Sequence, residues 1–320
     1  YNIRRVMKLS TIVLILSFFS YSLVNSIILY YVLTALASIA FSLMSILPLT
    51  LILNNWFNEK LGTVTGIAFM GSGVGGMVFN SLAGKWILAY GWRTTYKLLA
   101  LIMLIAVVPC IFFVIRIHPR DVGLKPLGEP SIKPSDALER DDGVMLKEAI
   151  KTTNFQVLII CSILFSMCIN TLVMTTAPHL TDIGYSTTYS ANVVAICMGA
   201  IALGKIALGY VYDKLGVRIA TIIACVSTGL GLFALTNFDG NTMLILLVVG
   251  SGIGCAYGTI GPPVITKSLY GKRDYSSIYG IVFAANAIGS GLGPFFNGYI
   301  YDISKTYSSA FKVALTLVLI

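Results

Sequence analysis

The chain has 320 residues, 57% of them hydrophobic and 11% charged, with a formal net charge of +9 and a mean hydropathy of +0.86. A soluble domain carries about a quarter of its residues as charge, so a soluble enzyme or binding module is excluded. A β-barrel is excluded too, because its segments are short and alternating rather than continuous apolar runs of about 20 residues.

In chain order, membrane helices are predicted near 9–25, 27–54, 61–89, 94–116, 154–178, 188–211, 217–236, 242–266, 275–301 and from 307 onward. Residues 118–153 break this pattern. They are rich in Pro, Asp, Glu and Lys, which bars insertion and predicts an interdomain linker ending in a short interfacial helix, MLKEAIKTT. With alternate loops on one side, Arg4, Arg5, Lys8, Lys60, Lys214, Arg218, Lys267, Lys272 and Arg273 share a face with this linker. The opposite side holds only Lys85, Arg93, Lys97, Lys305 and Lys312. That asymmetry puts the linker in the cytoplasm. The excess charge is thus a topology device, and the partner it implies is a lipid bilayer, not nucleic acid. The location expected is the plasma membrane.

All six cysteines fall in apolar runs without metal-ligand spacing, and His118 and His179 lie at a loop and a helix end. No metal or cofactor is expected. Nucleophile–base pairs and phosphate loops are absent from the apolar segments, so the chain does not read as an enzyme.

The stretch around which the chain is organised is GKIALGYVYDKLGVR, residues 204–218. Gly209 permits close approach of a neighbouring helix, Asp213 and Arg218 are able to pair across helix ends, and Gly216 suits a positive φ. With Lys214, these residues make a gating joint. The constellation Gly209-x-x-x-Asp213-Lys214-x-Gly216-x-Arg218 resembles the signature between paired helices of major facilitator superfamily transporters. The resemblance implies an all-α membrane protein with two pseudo-symmetric helix bundles.

The chain also repeats itself. The separation of Asn2 and Gly216, 214 residues, also links Arg4 to Arg218, Pro48 to Pro262, Trp56 to Tyr270, Gly66 to Gly280, Gly75 to Gly289 and Gly84 to Gly298. Parallel repeats of this kind build the two halves of such a transporter. The expected division is an N-terminal bundle at 1–117, the linker at 118–153 and a C-terminal bundle at 154–320. By the same offset, the counterpart of the helix after the linker would start roughly 60 residues before Tyr1. Ten helices of a twelve-helix protein are therefore expected, corresponding to its third to twelfth, with the last cut short.

Lys205 is the one cation inside an apolar run. It precedes Asp213 by about 12 Å of helix, a depth at which a lysine is costly unless it meets a wet cavity or an anion. It either lines a central cavity and binds a carboxylate or snorkels to the interface. Its position is similar to that of the helix-eight arginine of the oxalate:formate antiporter family and its monocarboxylate-transporter relatives. WFNEKLGTVTGIAFMGSG, GWRTTYKLL and YGIVFAANAIGSGLGP resemble the same family. Where oxalate transporters carry a second cation, this chain has Asn286, which either hydrogen-bonds cargo or packs between helices. One cation suits a monocarboxylate better than a dianion.

Gly66, Gly75, Gly280, Gly289, Gly293 and Pro294 are expected at close helix contacts, and Pro262-Pro263 at a broken helix. The resemblance implies a secondary transporter of a small organic anion by alternating access, with coupling to protons or a counter-transported anion left open. Efflux of neutral or lipophilic compounds, with Lys205 structural, is the alternative, as is a transport-inactive sensor.

Overall fold

The computed structural model describes residues 3–128 and 143–319. Asn2 and residues 129–142 of the predicted linker lie outside the described residues. In hydrocarbon the backbone must satisfy its own polar groups, so apolar runs close as helices. In order these are α1 (Ile3–Tyr21), α2 (Ile27–Met44), α3 (Ile46–Trp56), α4 (Leu61–Pro109), α5 (Leu146–Ala149), α6 (Thr153–Asp182), α7 (Thr187–Thr236), α8 (Asn241–Tyr270), α9 (Tyr275–Ser304) and α10 (Tyr307–Leu319). Among the described residues, six helical runs are long and apolar enough to cross a membrane. Large apolar side chains such as Leu88 and Phe295 are 90% and 76% exposed, the inside-out pattern of a lipid-facing surface.

Three boundaries differ from expectation. α1 starts at Ile3, not near residue 9, because Arg and Lys continue a helix well beyond the point where they bar it from hydrocarbon. The run expected at 27–54 breaks at Ser45 into α2 and α3. Conversely, the pairs expected at 61–89 and 94–116, and at 188–211 and 217–236, follow one another without a loop. A single non-helical glycine separates the members of each pair, Gly91 (φ 78, ψ 161) in α4 and Gly216 (φ 81, ψ 171) in α7. Only glycine adopts such angles cheaply.

The chain divides into two compact units, one formed by Tyr1–Glu59 with Val78–Glu129, the other by Lys60–Met77 with Pro130–Ile320. In the first, Leu14, Tyr21, Ala37 and Ala40 form one core cluster and Met7, Ile52 and Ile111 another. Arg93 ties the α1–α2 turn, donating to the Asn25 side chain at 2.7 Å. In the second unit, glycines set the crossings. A Cβ on Gly289 of α9 would overlap the Ile163 carbonyl of α6, and one on Gly204 of α7 would overlap Gly252 of α8. His179 is buried at the end of α6 with Nε2 2.8 Å from the Leu235 carbonyl oxygen.

Backbone hydrogen bonds fasten the described ends of the linker. In the first unit the Leu127 amide donates to the Trp56 carbonyl at 2.9 Å. In the second, the Val144 amide donates to the Tyr270 carbonyl at 3.0 Å. Trp56 and Tyr270 are partners under the repeat offset, so each unit holds its end of the linker at the corresponding helix exit. The short helix α5 follows, its Leu146 amide donating to Asp274 at 2.9 Å.

Candidate substrate site

The face of α7 that carries Lys205 lies against the first half of α4, and small residues bring the two backbones together. A Cβ on Gly62 would overlap the Gly209 carbonyl, one on Gly209 the Gly62 carbonyl, and one on Gly66 the Lys205 carbonyl. At Gly73 it would come within 2.8 Å of the Ala202 side chain. Gly62-x-x-x-Gly66 therefore meets Lys205-x-x-x-Gly209, one turn against one turn.

Lys205 is only 4% exposed. It neither points to lipid nor snorkels to the interface; its Nζ donates to Ser72 Oγ at 2.6 Å and to the Phe69 carbonyl at 3.2 Å, both on α4. Ser72 itself donates to that carbonyl at 2.9 Å. Among the described residues no carboxylate forms an ion pair with this ammonium. A buried cation held only by neutral oxygens is costly.

Eight residues on, Asp213 closes the same seam. Its Oδ1 accepts from the Gly62 amide at 2.8 Å and its Oδ2 from the Thr63 amide at 2.6 Å. These are orphan donors of the α4 N-terminus, where the helix dipole also favours a carboxylate. The Asp213 carboxylate thus faces α4 and not Arg218. That corrects the expected pairing: two free amides at a helix start offer closer donors than a side chain beyond the Gly216 bend. Lys214 lies over the Tyr210 ring at 6.0 Å, and Arg218 is exposed beside Ile265 and Leu269 at the mouth of an apolar groove of ≈ 850 Å³.

Asn286 sits elsewhere. Its Nδ2 donates to the Gly258 carbonyl of α8 at 3.3 Å. Pro262, four residues after Gly258, has no amide hydrogen to return to that carbonyl, so Asn286 supplies the missing donor. α8 stays helical through Pro262 and Pro263, in place of the expected break. A Cβ on Gly293 would stand 3.2 Å from Asn170 Cβ, and Pro294 is accommodated within a continuous α9. Gly75 and Gly280 are not close-contact positions, since an added Cβ would meet nothing within 4 Å; both lie on helix faces turned away from a partner. Ser72 and the Phe69 carbonyl were not among the expected site groups. The signal for them is the spacing Gly66–Phe69–Ser72–Gly73, which puts them on the α4 face defined by the glycines.

The Major Facilitator Superfamily model matches residues 1–236 and 192–320, which together cover the whole chain. The chain belongs to the Major Facilitator Superfamily. Its long apolar helices make it an integral, multi-pass membrane protein, and it resembles the monocarboxylate transporters. It is 43% identical to the riboflavin transporter RibJ of Trypanosoma cruzi over 67 residues, 21% of this chain and 14% of that protein. With human monocarboxylate transporter 14 the identity is 31% over 126 residues, 36% of this chain and 24% of the relative. Monocarboxylate transporter 11 of Mus musculus is 24% identical over 279 residues, 83% of this chain and 59% of that one. The chain thus spans between 14% and 59% of the length of these relatives. Among solved structures, the E. coli fucose:proton symporter FucP superposes with a TM-score of 0.66 at 13% identity, covering 100% of this chain and 82% of that one. The proton:xylose symporter XylE gives 0.68 at 13%, covering 99% and 78%. Both establish the major facilitator fold.

Proposed function

We propose that the protein is a secondary active transporter that moves a small organic anion, a monocarboxylate by charge count, across the plasma membrane by alternating access. The linker at 118–153 faces the cytoplasm and joins bundles at 1–117 and 154–320. The observation that carries this reading is Lys205, a buried ammonium with neutral oxygens and, among the described residues, no carboxylate paired with it. The similarity to two monocarboxylate transporters supports the same cargo class. Asp213 and the glycine seam hold α4 on α7 in one state of the cycle, with Gly216 letting the chain turn beside them. Coupling is to protons or to a counter-transported anion.

Counterflow of radiolabelled lactate, formate and oxalate by the full-length protein in proteoliposomes tests this. Lactate or formate should exchange, oxalate weakly, and Lys205→Gln should abolish the exchange. Exchange that survives Lys205→Gln sinks the anion assignment. One observation favours an uncharged cargo instead: the ammonium already has two oxygen partners inside the protein, and the T. cruzi relative is named as a riboflavin carrier. Under that reading Lys205→Gln leaves uptake of a neutral cargo intact.

A further inference from the structure

We infer that the Ser72 hydroxyl and the Phe69 carbonyl are a built-in stand-in for the cargo's carboxylate, so that anion binding and closure of the α4–α7 seam exclude each other. The inference rests on the anion reading of Lys205 and adds the device that couples cargo to helix movement. An ammonium has three hydrogens to donate, and here two of them go to oxygens one turn apart on α4, at 2.6 and 3.2 Å. Both acceptors are neutral. A carboxylate binds the same donors through stronger, charge-assisted bonds, so it wins the competition once it arrives.

It cannot simply be added. The backbones meet at Gly66 against the Lys205 carbonyl and again at Gly73 against Ala202, so the ammonium of Lys205, a residue only 4% exposed, lies beneath the exposed Ser72. An anion at Nζ therefore requires this part of α4 to retreat. The start of α4 remains tied to Asp213 through the Gly62 and Thr63 amides, about 15 Å away along the helix. The seam thus has a fixed end at Asp213 and a releasable end at Ser72. When the anion leaves, Ser72 returns to the ammonium and the seam closes with no buried charge left bare. In equilibrium terms, Ser72 holds the empty carrier in a state that does not bind, and the apparent affinity is lowered by that fraction.

The test is the concentration dependence of lactate exchange by full-length protein in proteoliposomes, for wild type, Ser72→Ala, Ser72→Cys, Ser72→Thr and Lys205→Gln. Removing the competing acceptor in Ser72→Ala should lower the half-saturating concentration about tenfold, the factor carried by one hydrogen bond to a charged group. The maximal rate should fall in the same variant, because the empty seam recloses poorly. Ser72→Cys, nearly isosteric but a weaker acceptor, should shift half-saturation in the same direction by less, and decides the matter if the alanine variant does not fold. Ser72→Thr should behave as wild type. A lower rate with half-saturation unchanged or raised means that Ser72 only packs, and overturns the inference while Lys205→Gln still abolishes exchange. Exchange retained by Lys205→Gln removes the anion reading and this inference with it.

Discussion

Lys205 and Asn286 are both polar side chains on apolar helices, yet the chain accounts for only one of them by itself. Asn286 repairs a defect: Pro262 leaves the Gly258 carbonyl without its helical donor, and Asn286 provides one across the α8–α9 contact. Nothing outside the protein is needed to explain it. Lys205 repairs nothing. The Phe69 carbonyl it touches belongs to an intact helical turn, Ser72 can already bond that carbonyl, and among the described residues the cation has no opposite charge. A polar group that answers a backbone need is structural, whereas one that creates a need points to something that arrives from outside.

Four measurements can break or sharpen this contrast. The largest effect belongs to the seam that surrounds the cation. Gly66→Leu would drive a side chain into the Lys205 carbonyl, and should cost more than about 3 kcal/mol, seen as loss of monodisperse protein in detergent. Next, Lys205→Met should raise thermal stability by about 1–3 kcal/mol, because it removes an uncompensated buried charge, while lactate exchange disappears. A stability loss there would make the lysine structural after all. Asn286→Ala should cost about 1–2 kcal/mol by orphaning the Gly258 carbonyl. In a Pro262→Ala background, where the helix supplies its own donor, the same change should cost under about 0.5 kcal/mol, and a melting double-mutant cycle reads the difference. Smallest of all, Gly75→Ala and Gly280→Ala should shift melting by no more than about 0.5 kcal/mol, since each opens onto empty space.

Much of the fold was legible in the order of apolar runs and charges. Long spans, the positive φ at Gly216, and the close approach at Gly66, Gly209 and Gly289 all follow from local composition and backbone freedom. The site was legible in its centre but not in its surroundings. Lys205 stands out because a cation interrupts an apolar helix. Ser72 does not, because a serine in a membrane helix is ordinary until the helix across from it is known. Asn286 is expected beside Lys205 because it stands where oxalate transporters carry a second cation. Its bond to Gly258 follows only when Pro262 is considered four residues further along a different helix. Asp213 departs from its expected partner for a related reason: the start of α4 lies some 150 positions earlier in the chain, whereas sequence proximity favours Arg218.

The attachment of the linker has a mechanical consequence. Leu127 donates to the Trp56 carbonyl and accepts from the Asn58 amide, and Val144 donates to the Tyr270 carbonyl, all through backbone atoms, so any residue but proline serves at either point. Tension in the linker is delivered to the last turns of α3 and α8, at Trp56 and Tyr270. It reaches the two repeats as a matched pair of loads.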